Sequence, residues 1–154
     1  MRTNRNRLSA ATKINRLSGP EDIFKWRFDS SSAWIEATTA SLQLIHASPG
    51  RKYWAWDAWN GSHDTGDLFL YSFTLDYVNE SIIDGTFGLG DEGLTFSHCF
   101  LTSDGGFTCI KAHSASVTIT LDPVSGTSTG KFKATFNVDP KTPNGEFKLT
   151  RSAS

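Results

Sequence analysis

Apolar and polar residues alternate with a period of two along much of the chain, most clearly in its second half. The segments SVTITL, GKFKATFNV and GEFKLTR each place apolar side chains on one side and Thr, Lys, Asn or Glu on the other. Their apolar positions are Val117, Ile119 and Leu121; Phe132, Ala134, Phe136 and Val138; Phe147 and Leu149. This alternation is typical of β-strands with one buried face and one face in water.

The first half shows the same pattern less regularly, in FKWRF, SLQLIHA and DLFLYSFTLDYV. The inward positions it predicts are Phe24, Trp26 and Phe28; Leu42 and Leu44; Phe69, Tyr71, Phe73 and Leu75. Leu68 and Leu70 fall on the opposite face, which indicates a strand covered on both sides at its start. SSSAWIEATTASLQ is the one candidate for a helix, and the Thr-rich second half of that segment argues against a long one.

Turn sequences rich in Gly, Pro, Asp and Asn separate these segments: SPG, NGSHDTGD, GDEG, SDGG, DPVSGTSTG and DPKTPNG. Short strands joined by such turns, with no helices between them, predict an all-β fold of about nine antiparallel strands. An antiparallel β-sandwich and a flattened up-and-down barrel both fit this pattern.

Length and charge narrow the class of protein. A chain of 154 residues is the usual size of one domain, and its 11 Phe and 5 Trp provide ample core material. The net charge of −1 gives the whole chain no field that would attract nucleic acid, so no nucleic-acid partner is expected. No apolar run approaches the ~18 residues of a membrane span.

Basic residues are concentrated at the start of the chain. Arg2, Arg5, Arg7, Lys13 and Arg16 all precede the first acidic residue, Glu21. We expect a flexible basic arm over residues 1–20, followed by a single β domain over residues 21–154. Contact of the arm with an acidic partner or a membrane surface is the alternative. With no secretory apolar region or lipid-attachment cysteine in view, localisation is unknown and cytoplasmic by default.

Cys99 and Cys109 flank the sequence FLTSDGGFT. A three-residue hairpin loop of Ser103, Asp104 and Gly105 would place the cysteines opposite one another, where a cross-strand disulfide is possible. Without an export signal, two buried free thiols are the state we expect.

Three tryptophans lie in the segment YWAWDAWNGSHD. In an extended strand Trp54 and Trp56 point to the same face, and we predict that both point into the core. Trp59 lies at the mouth of the polar loop, so it is the indole predicted to contact a partner. The candidate ligand or partner contacts are Trp59, His63, Asp64 and Asp67.

No segment carries a specific catalytic, cofactor or metal signature. GLGDEG spells a dinucleotide-binding pattern, but a strand-like segment follows it rather than a helix, and Asp91 and Glu92 would repel a phosphate. Calcium could bind to the oxygens of Asp57, Asn60, Asp64 and Asp67, but their spacing matches no metal-binding template. The sequence also has no G-x-S-x-G motif, which would mark a nucleophilic serine. We therefore predict no catalytic residue, metal or cofactor.

One family resemblance concerns the second half of the chain. Four segments resemble successive strands of an uncharacterised family of small bacterial all-β domains, often found on lipoproteins. The segments are Gly85–Phe87, Ser116–Asp122, Gly130 with Phe132 and Phe136, and Gly145 with Phe147. The resemblance covers roughly residues 82–150, and FKWRFDSSSAWIEA is weakly similar to the family's opening strand. It implies a β fold and no known activity.

These observations favour a non-catalytic binding or interaction module that recognises another protein through its loops. The first alternative is a carbohydrate or small-molecule binding domain that uses exposed Trp. The second alternative is a small hydrolase of unrecognised type, which would require converging acids or a His–acid pair.

Overall fold

The structure is a computed structural model, and it describes residues 22–29, 31–47, 49–62, 64–137 and 142–152. The predicted basic arm, His63 and Val138 lie outside these residues. Within them, no helix is long and apolar enough to cross a membrane.

The described residues form eleven β-strands rather than about nine. They are β1 Ile23–Arg27, β2 Ile35–Glu36, β3 Thr39–Ala47, β4 Arg51–Asn60, β5 Phe69–Asp76, β6 Ile83–Gly88, β7 Thr95–Leu101, β8 Phe107–Lys111, β9 Ser114–Asp122, β10 Thr127–Thr135 and β11 Asn144–Thr150. A two-residue strand such as β2 is too short to show alternation, and β8 has no buried side chain, so neither carries the signal that marks the others.

The strands form two antiparallel sheets, as an all-β sandwich requires. The six-stranded sheet has the order β2-β1-β11-β10-β9-β6, and the five-stranded sheet has the order β3-β4-β5-β7-β8. The two sheets meet at one edge, where an isolated bridge joins Leu42 to Arg151. The chain therefore adopts the sandwich, and the barrel alternative does not apply.

Aromatic side chains from both sheets fill the space between them. Phe24, Phe132 and Phe147 of the six-stranded sheet pack against Phe73 and Phe96 of the five-stranded sheet, with neighbouring ring centroids 5.3 to 6.2 Å apart. All the described inward positions predicted from alternation are buried, except Phe28 and Phe69, which are partly buried against the core. Alternation therefore located the core correctly.

The segment considered for a helix is extended instead. It contributes β2 and the first residues of β3, and the one helical element among the described residues is a 3₁₀ turn at Asp91–Gly93. Ala37 N–H donates to the Phe24 carbonyl and Thr38 N–H to the Trp59 carbonyl, so the segment crosses between strands of the two sheets. These long-range bonds outweigh its weak helical propensity.

Candidate functional site

The middle of the outer face of the five-stranded sheet carries few charges, and the exposed ion pair Arg51–Asp76 lies at one end of that face. Its middle rows, read across the strands, are Gln43, Ala55, Thr74 and Thr95; Ser41, Asp57, Ser72, Ser97 and Lys111; Thr39, Trp59, Leu70, Cys99 and Cys109; Leu101 and Phe107. Asp57 and Lys111 are the two ionisable residues in these rows, apart from the bonded cysteines. We call this surface the neutral face.

The six-stranded sheet is very different on its outside. Its outer positions include Lys25, Arg27, Glu36, Asp84, Asp122, Lys131, Lys133, Glu146 and Lys148. Most outer side chains of β9 and β10 are exposed, whereas most of those on β3, β4 and β5 in the neutral face are half-buried or buried. A sheet face that contacts only water is usually charged and exposed, so the lower charge and exposure of the neutral face indicate a contact surface.

Two aromatic rings meet on the neutral face. The ring planes of Trp59 and Phe107 are 15° apart, with centroids separated by 6.1 Å. Since β5 and β7 lie between their strands, the two side chains lean toward each other over Leu70 and Cys99. This explains why Leu70 and Cys99 are buried although they point away from the core, while Phe107 remains 44% exposed.

A disulfide joins Cys99 to Cys109 in the same row of the sheet as Trp59, so the expectation of two free thiols is wrong. The three-residue loop allows the bond: Thr102 N–H donates to the Gly106 carbonyl, and Gly105 has a φ of 86°, which glycine adopts readily. β8 is the edge strand of its sheet, and the disulfide holds it, with Phe107, against β7.

Asp57 is the acidic group of the neutral face. It lies two residues before Trp59 on the same side of β4, and its Oδ1 accepts a hydrogen bond of 2.5 Å from Ser72 Oγ. The residues around the half-buried carboxyl partly shield it from water, and this desolvation raises the pKa of Asp57, an effect that the Ser72 hydrogen bond partly offsets. A desolvated carboxylate is a strong hydrogen-bond acceptor for a ligand donor.

The loop after β4 separates the predicted contact residues from one another. Asp64 is exposed in the loop, whereas Asp67 holds the loop together, because its Oδ1 accepts bonds from Ser62 N–H and from the Thr65 hydroxyl. These bonds lower the pKa of Asp67. Trp59 meets Phe107 on the sheet and not the loop acids, and His63 lies outside the described residues.

The oxygens considered for a metal do not converge. Asn60 Nδ2 donates to the Glu36 carbonyl, Asp57 bonds Ser72, and Asp67 bonds its own loop. In the part of the chain that the structure describes, no group of three or more His, Cys, Asp and Glu side chains could hold a metal ion. GLGDEG forms the 3₁₀ turn before β7, and the Asp91 carboxylate accepts Gly88 N–H within that turn.

An open cleft of about 430 Å³ lies at the end of the sandwich beside this loop and shares Leu101 with the neutral face. Its apolar lining is Phe28, Ile35, Leu68, Phe69, Phe100 and Leu101. His98 and Tyr71 also line it, with ring centroids 4.7 Å apart, and both are buried in the aromatic core. The cleft therefore exposes mainly the rim of the core, and no second acid faces Asp67 across it.

From the sequence, Trp59 was proposed as a contact residue, whereas Phe107 and Ser72 were not considered and Asp57 was considered only as a metal ligand. Phe107 follows a Gly-rich turn on a strand with no alternation, and its proximity to Trp59 depends on two intervening strands. The low charge of β3, β4 and β5 on their outer sides is a sequence signal that would have located the face. Comparisons of this chain with protein-family models, with curated proteins and with solved structures found no match.

Proposed function

We propose that this protein is a non-catalytic binding module and that the neutral face, more than the loops, is its contact surface. The observation that carries the proposal is the Trp59–Phe107 ring pair set on a charge-poor, half-buried sheet face. Large aromatic side chains at the centre of a poorly charged surface are typical of contact sites.

The geometry gives the loops a smaller role than the sequence did. Half of PVSGTSTG is strand, because β9 ends at Asp122 and β10 begins at Thr127. The loop after β4 is organised by Asp67 and borders the neutral face through Trp59 and Asn60.

Catalysis has weaker support than binding. Asp57 is the one acid in the middle rows of the neutral face, and among the described residues there the groups beside it are hydroxyls and aromatic or aliphatic side chains. Hydrolysis by paired carboxylates or by a His–acid pair needs a second ionisable group at hydrogen-bonding distance from the substrate. The arrangement is better suited to holding a ligand than to transforming it.

The proposal is tested by comparing Trp59→Ala and Phe107→Ala with Trp34→Ala, which truncates an exposed tryptophan outside the five-stranded sheet. Each variant and the unaltered protein are immobilised and exposed to cell-extract proteins and to a glycan array. We expect ligands of the unaltered protein to lose about tenfold or more in affinity for the first two variants and none for the third. A specific ligand that binds all variants equally well would contradict the proposal.

A further inference from the structure

We infer that the ligand of the neutral face is an uncharged oligosaccharide, which lies across the strands with one sugar ring on the Trp59–Phe107 pair and its hydroxyls on the Asp57 row. This inference rests on the proposed function and names its ligand class. Three properties of the face carry it: the ring pair, the row of hydrogen-bonding groups beside it, and the balance of charge.

The ring pair offers apolar surface to a ligand. Trp59 and Phe107 are stacked within 15° of parallel beside the buried side chains of Leu70 and Cys99, and Phe107 remains 44% exposed. The C–H face of a sugar ring is flat and apolar, and amphipathic aromatic side chains bind such surfaces while the sugar's hydroxyls remain available for polar contacts.

The neighbouring rows offer hydrogen-bond partners rather than apolar surface. Asp57 accepts one bond from Ser72, so carboxylate acceptor positions remain for ligand hydroxyls. The other polar side chains of these rows are Ser41, Gln43, Thr74, Thr95 and Ser97. Hydroxyl and amide groups donate and accept, which suits a ligand that carries many hydroxyls.

The balance of charge selects against charged partners. Within the middle rows the negative charge of Asp57 is matched by the positive charge of Lys111 at the edge, so the face has no net charge to attract a polyanion or a strongly basic peptide. A protein partner with an apolar interface would bury the Asp57 carboxyl further without offering it a hydrogen-bond donor, at a considerable cost. A neutral ligand rich in hydroxyls needs no net charge on the face and can donate hydrogen bonds to the Asp57 carboxyl.

The test uses purified protein with the hexasaccharides of cellulose, xylan, mannan, starch and chitin as neutral probes, and heparin and galacturonan oligosaccharides as anionic ones. Binding is measured by isothermal titration calorimetry and by tryptophan fluorescence at probe concentrations up to the millimolar range. We expect at least one neutral probe to bind, and to bind more tightly than either anionic probe. The neutral probe that binds identifies the sugar and its linkage.

Variants connect the binding to the face. Trp59→Ala should weaken the neutral probe about tenfold, through loss of stacking and apolar contact, and Asp57→Asn should weaken it about five- to tenfold, through loss of a charged acceptor. Trp34→Ala should leave the affinity unchanged. Thermal unfolding of each variant distinguishes a lost contact from a lost fold.

Failure of the inference is distinguishable from failure of the proposed function. If no neutral probe binds, while a protein captured by the unaltered chain is lost on Trp59→Ala, the carbohydrate inference is overturned and the binding face stands. If an anionic probe binds more tightly than every neutral one, the inference is overturned as well. If every ligand found is insensitive to both Trp59→Ala and Phe107→Ala, both proposals fall.

Discussion

At the scale of single residues, two glycines and two phenylalanines on β10 and β11 form reciprocal pairs. Gly130 lies opposite Phe147, and Gly145 lies opposite Phe132. Each ring covers its glycine so closely that a Cβ on Gly145 would lie 2.6 Å from the Phe132 ring and 2.2 Å from the Lys25 carbonyl oxygen. The glycines are therefore required because the aromatic core occupies the space of a side chain.

The first prediction concerns Gly145→Ala. The added methyl group has no space between the Phe132 ring and β1, so overpacking should lower the free energy of unfolding by about 3 kcal/mol, measured by urea denaturation. Gly85→Ala is the matched control, because its Cβ would make ordinary contacts with the Phe87 ring, and it should change stability by less than about 0.5 kcal/mol. Equal effects of the two substitutions would contradict this account.

The second prediction concerns the pH dependence introduced by Asp57. Because desolvation raises the pKa of this carboxyl above its ordinary value of 3.8, the unfolded chain loses the proton first as the pH rises. The contribution of Asp57 to stability must then fall between pH 3.8 and its higher folded pKa, and remain reduced above it. Asp57→Asn cannot ionise, so its stability relative to the unaltered protein should increase from about pH 3 to about pH 7.

Urea denaturation of both proteins at the two pH values measures this difference. Asp67→Asn is a control of opposite sign, because hydrogen bonds from Thr65 and Ser62 lower the pKa of Asp67. Its carboxylate stabilises the fold above the unfolded pKa, and that contribution is lost as the pH falls through the folded pKa. A relative stability of Asp57→Asn that stays constant with pH would show that Asp57 titrates normally.

At the scale of elements, β8 is held to its sheet by the disulfide and by pairing with β7 rather than by fully buried side chains. No side chain of β8 is buried, and the strand has a neighbour on one side only. The bond between Cys99 and Cys109 therefore supplies a constraint that apolar burial does not. Because Phe107 belongs to β8, the same bond positions one ring of the proposed contact site.

The third prediction is that reduction loosens this hairpin first. Opening a covalent loop of 10 residues should lower the free energy of unfolding by about 2.5 kcal/mol, and amide hydrogen exchange should accelerate over Phe107–Lys111. Urea denaturation and exchange mass spectrometry with and without reductant measure both effects. The double variant Cys99→Ala/Cys109→Ala should show no response to reductant. Alkylation of both cysteines in the folded, unreduced protein would disprove the bond.

At the scale of the whole molecule, the end of β11 joins the two sheets. Arg151 N–H donates to the Gly126 carbonyl in the turn that joins β9 and β10 of the six-stranded sheet, and Ser152 N–H donates to the Leu42 carbonyl in the five-stranded sheet. The Arg151 guanidinium lies 4.8 Å from the centroid of the Trp54 ring and also donates to the Pro123 carbonyl and to Glu80. One side chain thus contacts both layers of the sandwich.

The fourth prediction concerns Arg151→Met, which keeps an apolar side chain but removes the charge and the donors. Loss of the Pro123 hydrogen bond and of the cation–π contact should lower the free energy of unfolding by about 1 to 2 kcal/mol. Arg51→Met is the control, because Arg51 and its partner Asp76 are both largely exposed, and it should cost less than about 0.5 kcal/mol. Thermal and urea unfolding measure both variants.

The sequence predicts features that depend on residues close together in the chain better than features that depend on residues far apart in it. Alternation identified the strands bearing Phe24, Val117 and Phe147, because burial on one face is a local pattern with period two. Strand order was not predictable, since β5 pairs with β7 rather than with the next strand along the chain. The contact between Trp59 and Phe107 depends on that order, so no local pattern could show it.

The amino-acid sequence by itself determined that this chain is all-β, that Trp54 and Trp56 belong to the core, and that a three-residue loop can set Cys99 opposite Cys109. Each of these follows from residue spacing within one strand or one hairpin. Tertiary structure decided that the sheets form a sandwich, that the cysteines are bonded, and that Trp59 shares a neutral face with Phe107 and Asp57. The sandwich and the shared face depend on hydrogen-bonded pairing between strands distant in the chain, which side-chain periodicity does not encode. The bond between the cysteines depends on the exact closure of the β7–β8 hairpin, which residue spacing allows but does not impose.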